Sequence, residues 1–413
     1  MIRRLFAAAL IALIAASLGG CRYSHEITEM AYAVALGIDK EGDDIAVSVQ
    51  FAKPLSISGG SGGGESSGGS SQEGEEGGAK NKNTTVLTVK SKDIFTALTA
   101  AENNLSKEIN LSHVKLLLFS KDIAQDGISD YVKQFMKSSQ FSPNTYTAVS
   151  LCKAEEYMKT ANPSLEINPA KYYTLLFSNN DNNYMPSATL RELYFNLSAN
   201  GEGEVLPVAN LSNDESNEES KSGEDGYYAG ELSVGGENEA DVSGMAVLSG
   251  GRLKQILSTK DALYYHMLTG KLREIYFIIP SVKEEGQHIT LRLTQGKKPE
   301  LGAEEVGENP KLSAKVCLNG EIVKCPDSDF NELGIDGLNE LASSYIKEQL
   351  ESFLEYTKNA SGTDVTGFGK FAKMHFSDWC GWSLYNWQDK FMRAEFSVTA
   401  NVNITREGLV YSG

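Results

Sequence analysis

The chain has 413 residues and a formal net charge of −17 at neutral pH. This charge argues against a nucleic-acid partner, because proteins that bind nucleic acids present a basic surface to the phosphates. It also argues against simple electrostatic docking on an anionic membrane. Hydrophobic residues make up 41% of the chain, so we expect two or three domains with real cores.

The first 20 residues have the pattern of a signal peptide. Arg3-Arg4 precedes an apolar run from Leu5 to Leu18, which is shorter than the roughly 20 residues that a spanning helix needs. The run ends in LGGC, which is similar to a bacterial lipobox, with Cys21 as the lipid-attachment residue. The alternative is an ordinary signal peptide with a chance cysteine. Acyl chains such as palmitate, when two are present, anchor a protein stably, whereas one chain binds only marginally.

The other cysteines are Cys152, Cys317, Cys325 and Cys380. They form no CxxC pair, so we expect no zinc or other metal site. Asn319-Gly320 predicts a two-residue hairpin turn, which would place Cys317 and Cys325 roughly 10 Å apart. That distance exceeds the limit of about 7 Å between the Cα atoms of a disulfide, so the hairpin disfavours this bond.

The N-terminal part, residues 21–200, reads as a mixed α/β domain. Its first apolar runs flank "DKEGDD" and predict a β-hairpin. From Ser56 to Gly78, 17 of 23 residues are Gly or Ser, so we expect a flexible insertion at 56–83. The remainder alternates between strand patterns, such as "HVKLLLFS", and helical spacings, such as that from Ile94 to Leu105.

The rest of the chain divides at polar segments. Residues 201–240 read as a polar linker, and residues 241–298 as a middle β-rich domain that opens with a hairpin at Gly250-Gly251. Residues 299–413 predict a C-terminal α+β domain with a long amphipathic helix, an aromatic-rich segment and a final strand. The alternation in the first part suggests an α/β or α+β domain with a mixed sheet, with a disordered Gly/Ser-rich loop inside it.

These elements, in this order, resemble the Ger(x)C family, the lipoprotein C subunits of spore nutrient germinant receptors. The resemblance covers nearly all of the mature chain. It rests on the lipobox cysteine followed by "LGID" (36–39), on "LSHVKLLLFSKDIAQDGI" (111–128), on "GMAVLSGGRLKQIL" (244–257), and on a C-terminal helix followed by "DVTGFGK" and "DWCGWSLYNW". The order and spacing together are specific.

Isolated polar residues give little sign of catalysis. His113 has no matching nucleophile motif in the sequence, so we expect a hydrogen bond at a helix–strand corner. Asp364 with its nearby glycines falls short of a phosphate or metal loop and is typical of a turn after a helix. Ser344 and Lys347 match SxxK, but they lie within an amphipathic helix and have no companion motif.

The three tryptophans, Trp379, Trp382 and Trp387, lie within nine residues of one another. An aromatic cluster of this kind can be core, a sugar-binding platform or a partner-protein interface. The simplest interpretation is that the tryptophans pack in the core. The functional interpretation is that all three form a possible partner surface.

The resemblance implies a fold class of α+β, with three mixed α/β-sheet domains in a row, in a lipid-anchored receptor subunit on the outer face of the spore inner membrane or the cell membrane. It implies membrane-embedded A and B subunits as partners and a role in nutrient-triggered germination. The sequence shows no catalytic constellation, so we expect a non-enzymatic protein without a cofactor. The alternative is a solute- or glycan-binding lipoprotein of a transporter, which would have two similar α/β lobes around one deep cleft.

Overall fold

The structure is a computed structural model. It describes residues 3–4, 29–53, 83–161, 165–178, 182–198, 203–212, 226–232 and 238–407. The predicted signal peptide beyond Arg4, the predicted lipid site Cys21 and the insertion at 56–83, apart from Asn83, lie outside these residues.

The strands described here form two sheets. The strands of the first sheet are β1 (Met30–Glu41), β2 (Asp44–Ala52), β3 (Thr84–Ser91), β4 (Glu108–Asn110), β5 (Leu116–Ser120), β6 (Tyr146–Ser150), β7 (Glu204–Leu211), β8 (Ala240–Ser249) and β9 (Arg252–Leu257). The strands of the second sheet are β10 (Ile275–Pro280), β11 (His288–Ala303), β12 (Lys311–Lys324) and β13 (Glu395–Glu407).

Helices separate many of these strands and cover both sheets. They are α1 (Ile94–Glu102), α2 (Lys121–Asp126), α3 (Ser129–Lys137), α4 (Ala154–Thr160), α5 (Pro169–Ser178), α6 (Leu190–Ser198), α7 (Thr259–Thr269), α8 (Asp327–Ser361), α9 (Gly369–Lys373), α10 (Trp379–Tyr385) and α11 (Trp387–Phe391).

The first sheet has the order β3-β2-β1-β5-β6-β7-β8-β9, with β4 also paired to β1. Its four middle strands, β1, β5, β6 and β7, run parallel to one another. The outer pairs on either side are antiparallel. The sheet is therefore mixed, as the α+β class predicts.

Helices bury both faces of this sheet. On β1, Leu36 and Ile38 face a core that includes Ile94 of α1, whereas Ala35 faces a second core with Tyr157 of α4. Alternate residues of a strand point to opposite faces. Burial of both faces explains why strands such as "LLLF" in β5 are continuously apolar rather than alternating.

The second sheet has the order β10-β11-β12-β13, with β12 and β13 parallel. Helix α8 lies over it and buries Ile346, Leu350 and Phe353, the stripe that the helical spacing predicts. Gly334 has φ 59° and ψ −172°, which interrupts the helical geometry near the start of α8. Only glycine adopts such a conformation readily.

Strand β8 connects the two regions, residues 29–257 around the first sheet and residues 259–407 around the second. Ala246 and Leu248 belong to a core of the first region, whereas Met245 and Val247 belong to the core of the second. The "GMAVLSGG" hairpin therefore completes the first sheet while its other face packs on the second region. The strands predicted for a middle domain are thus shared between two sheets, and no third sheet forms among the described residues.

Two local expectations differ from the structure. Residues 204–211 lie within the predicted polar linker but form β7, with Leu206 and Val208 buried, because "VLPVAN" is a short apolar run between polar segments. Asn319-Gly320 does not turn the chain. It lies inside β12, paired on both sides by β11 and β13, and these two neighbours outweigh the local turn preference. The predicted hairpin at this position is wrong.

Candidate functional site

The "LGID" segment near the start of the chain fixes helix α4 on β1. The Asp39 carboxylate accepts the backbone N–H groups of Ala154 at 2.7 Å and Glu155 at 3.1 Å, at the N-terminus of α4. Burial raises the pKa of Asp39, and these two N–H donors act against that shift. A Cβ atom on Gly37 would lie 2.7 Å from the Cβ of Ala154. Both residues therefore serve the close contact between strand and helix.

Asp364, in the "DVTGFGK" segment, organises a turn at the junction of the two regions. Its carboxylate accepts the N–H groups of Gly367 at 2.8 Å and Gly369 at 2.6 Å, and the indole N–H of Trp387 at 3.1 Å. Burial raises the pKa of Asp364, and the surrounding donors oppose this. These three contacts are those expected of a structural turn after a helix.

The same turn contacts the beginning of β7 in the first region. The N–H of Gly203 donates to the backbone carbonyl of Asp364 at 2.9 Å. A Cβ atom on Gly203 would lie 2.3 Å from Cγ2 of Thr363. In addition, the Asn183 side chain donates to the carbonyl of Glu274 at 2.9 Å and accepts the N–H of Arg273 at 2.8 Å. The two regions are therefore held together by a close backbone contact at Gly203 and by the hydrogen bonds of the Asn183 side chain.

Glu204 is a buried acid at this junction that sequence reasoning missed. It is 1% exposed, and its carboxylate accepts the N–H of Gly251 at 3.4 Å. Burial raises its pKa to about 7. Its position next to the apolar "VLPVAN" run was the available signal, since an acid that begins a buried strand cannot reach solvent easily.

Two adjacent cavities, of about 390 and 620 Å³, lie between the regions. Both are lined by Ser187, Glu192 and Lys271, and Glu204 and Asp364 line the smaller one. His266 lines the larger cavity. Its Nε2–H donates to the carbonyl of Met185 at 3.0 Å, and burial lowers its pKa to about 4. The walls combine apolar side chains with charged side chains of both signs.

The structure divides the three tryptophans. Trp382 and Trp387 are 3% and 2% exposed and belong to the core of the second region, so they cannot form a partner surface. Their ring centroids lie 5.9 Å apart. Trp379 is 50% exposed. The simpler interpretation as core is therefore right for two tryptophans, and a surface role stays a prediction for Trp379.

The other polar residues do not converge on a chemical site. His113 is exposed and meets the Tyr32 ring edge-to-face at 5.0 Å. Cys317 and Cys325 are free thiols. Across the part of the chain that the structure describes, no group of three or more His, Cys, Asp or Glu side chains could hold a metal ion. Within the same residues, no helix is both long and apolar enough to cross a membrane.

Two family descriptions match the chain in succession. Residues 23–211 match the spore germination protein N-terminal domain, and residues 243–408 match the C-terminal domain described as spore germination B3/GerAC like. The boundary after 211 coincides with the end of β7. The first match therefore includes the strand that the composition assigns to a linker.

Individual relatives agree with these matches. The chain is 20% identical over 317 residues to spore germination protein GerQC of Bacillus cereus, which covers 76% of this chain and 79% of the relative. It is 23% identical over 211 residues to spore germination protein KC of Bacillus subtilis strain 168, about half of each chain.

A solved structure supports the same fold. The crystal structure of the GerBC protein superposes with a TM-score of 0.53 and 12% identity, covering 89% of this chain and 96% of that one. The two domain matches span the chain from residue 23 to residue 408 with one gap. The chain belongs to the Ger(x)C family of spore germination proteins.

Proposed function

We propose that this protein is the lipid-anchored C subunit of a spore nutrient germinant receptor. The observation that carries the proposal is the succession of both family domains along one chain, in the order expected of the family. Two relatives, at 20% and 23% identity, are named as spore germination proteins. Membership of a spore germination family supports the proposed role in nutrient-triggered germination.

The membrane attachment in this proposal is a lipid on Cys21. Its support is the chemistry of the LGGC sequence after an apolar run, as a lipobox requires. The family domains begin two residues later, at residue 23, so cleavage before Cys21 would leave them whole. The protein would then stand on the outer face of the spore inner membrane, or of the cell membrane.

In this proposal the partners are the membrane-embedded A and B subunits of the receptor.

The proposal also holds that the protein is not an enzyme. The buried carboxylates support a structural role. The Asp364 carboxylate is surrounded by N–H donors from its own chain, and that of Glu204 accepts the N–H of Gly251. The alternative of a transporter's binding lipoprotein requires two similar lobes, whereas the two sheets here differ in size and strand order.

A deletion strain tests the proposal. Spores that lack this gene should lose the response to at least one nutrient mixture, measured as the fall in optical density when spores are exposed to the nutrient. Restoring the gene should restore the response. An unaltered response to every nutrient tested would contradict the proposal.

A further inference from the structure

The two adjacent cavities between the regions share part of their walls. Their volumes are about 390 and 620 Å³. Ser187 and Glu192 of the first region and Lys271 of the second line both of them. Cavities of this size between two structural units are a common position for small-molecule sites. The junction cleft, as we name the two cavities together, therefore has the size and the position of such a site.

Glu192 and Asp364, two acids of the junction cleft, accept hydrogen bonds from the protein itself. The Glu192 carboxylate accepts the backbone N–H of Thr189 at 2.9 Å and the hydroxyl of the same residue at 2.7 Å. The Asp364 carboxylate accepts the three N–H groups described above. Hydrogen bonds of this kind compensate the charge of an ionised carboxylate, so neither acid requires a cation from a ligand.

The other acids of the junction cleft also contribute little uncompensated negative charge. The Glu274 carboxylate forms an ion pair with Arg292, with 3.7 Å between oxygen and nitrogen. Glu204 is 1% exposed, and burial raises its pKa to about 7. At neutral pH about half of the molecules therefore carry the proton on Glu204. The negative charge of the walls is largely compensated without a ligand.

Three cations of the junction cleft, in contrast, lack acidic partners. Lys298 lines the smaller cavity, Arg273 lines the larger one, and Lys271 lines both. Within the part of the chain that the structure describes, the side chains of these three residues form no ion pair. The uncompensated charge of the cleft is therefore positive, although the chain as a whole carries a formal charge of −17. This local excess favours an anionic ligand.

Packing between α7 and β11 brings two of these cations together. Helix α7 ends at Gly270, which has a left-handed φ of 73°. A Cβ atom on Gly270 would lie 2.7 Å from Cδ of Pro299 and 3.8 Å from Cγ of Lys298. The stem of Lys298 therefore lies beside the residue that precedes Lys271. Two ammonium groups on such close backbones repel each other, and an anion bound between them removes the repulsion.

Arg273 adds a planar cation on the side of the larger cavity. Its backbone N–H donates to the side chain of Asn183 at 2.8 Å, which ties the main chain at this point to the first region. Guanidinium groups bind two oxygens of a carboxylate or phosphate at once. A ligand that spans both cavities would place one anionic group between Lys271 and Lys298 and a second one at Arg273.

We propose that the junction cleft binds a small organic anion with two acidic groups, one held by Lys271 and Lys298 and the other by Arg273. The acidic groups are two carboxylates, or one carboxylate and one phosphate. Because such a ligand contacts residues of both regions, its binding stabilises the junction. The inference goes beyond the proposed receptor role and does not depend on the lipid at Cys21.

Isothermal titration calorimetry tests the inference with two anions and one uncharged analogue. The full chain is purified in detergent micelles and titrated at low ionic strength with succinate, with phosphoglycolate and with succinamide, which has the shape of succinate but no charge. We expect one saturable site for at least one of the two anions and no binding of succinamide. Lys271→Gln and Arg273→Gln should each weaken the binding of that anion about tenfold, because each removes a hydrogen bond between charged groups.

Lys254→Gln is the matched control. Lys254 is an exposed lysine on β9 that lines neither cavity, so this variant should bind the anion as the wild type does. Because Lys271 and Arg273 are also exposed, all three variants should keep the circular dichroism spectrum of the wild type.

Saturable anion binding that weakens in Lys271→Gln and in Arg273→Gln, but not in Lys254→Gln, supports the inference. The anion that binds more tightly then shows whether the cleft takes a dicarboxylate or a phosphate. The absence of binding for both anions overturns the inference, and so does equal affinity in the wild type and Lys271→Gln, or equal affinity for succinate and succinamide. Germination does not enter this measurement, so a failure here is distinguishable from a failure of the proposed function.

Discussion

At the scale of single residues, two acids buried at the junction differ in the number of hydrogen-bond donors that their carboxylates meet. Asp364 is met by two backbone N–H groups and an indole N–H, which hold a carboxylate in place without solvent. Glu204 accepts one backbone N–H at 3.4 Å. Burial raises the pKa of Glu204 to about 7, and this long hydrogen bond offsets the shift only in part.

Stability should fall with rising pH because of Glu204. Its folded-state pKa of about 7 exceeds the reference value of 4.5, so the folded protein holds the proton more tightly than the unfolded chain does. The stability contributed by protonation is full below pH 4.5 and is lost as pH rises through 7, a difference of about 3 kcal/mol. The stability of Glu204→Gln relative to the wild type should therefore increase as pH rises from 4 to 8, as measured by urea unfolding at each pH. A constant difference between the two proteins at both pH values would contradict this.

At the scale of elements, the sequence predicts the parts with strong periodicity and misses those decided by distant neighbours. The stripe of α8 and the apolar run of β5 follow from spacing alone. Asn319-Gly320 is a strong turn signal, yet flanking strands hold it in β12. Strand β7 was hidden because a short apolar run sits between polar segments. The aromatic cluster was evident, but only packing shows which tryptophans are inside.

The tryptophans of α10 and α11 should differ sharply in their effect on stability. Trp382→Ala removes a ring that is 3% exposed and should lower the free energy of unfolding by about 3–5 kcal/mol, because it leaves a cavity. Trp379→Ala removes a half-exposed ring and its contact with Lys373, and should cost about 1 kcal/mol or less. Chemical denaturation of both variants measures the difference. Similar costs would show that Trp379 is also core.

At the scale of the whole molecule, the two sheets pack together. Side chains of β8 belong to the cores of both regions, and the turn at Asp364 contacts the start of β7. The composition suggests breaks at polar segments, and it cannot show that strands on either side of a break share one sheet. The number of sheets and the junction between them therefore could not be derived from the sequence, whereas the α+β class and the family could.

The junction should be sensitive to added volume at Gly203. Gly203→Ala would place a methyl group 2.3 Å from Cγ2 of Thr363. Either the buried Thr363 side chain or the two regions must then move, at a cost of about 1–3 kcal/mol. Gly307→Ala is the matched control, because no atom lies within 4 Å of its added Cβ. Thermal unfolding and limited proteolysis should show a lower melting temperature and faster cleavage for Gly203→Ala alone. Equal behaviour of the two variants would mean that the junction is loose.

The central claim, a germination protein that works from a lipid anchor, is tested most directly by one substitution in living spores. A deletion strain is complemented with the wild-type gene, with Cys21→Ala, or with Cys380→Ala, which changes an exposed cysteine elsewhere. The measurement is the rate at which optical density falls after nutrient is added. We predict that the wild type and Cys380→Ala restore germination and that Cys21→Ala does not. Full restoration by Cys21→Ala, with the protein present at wild-type level, would contradict the account.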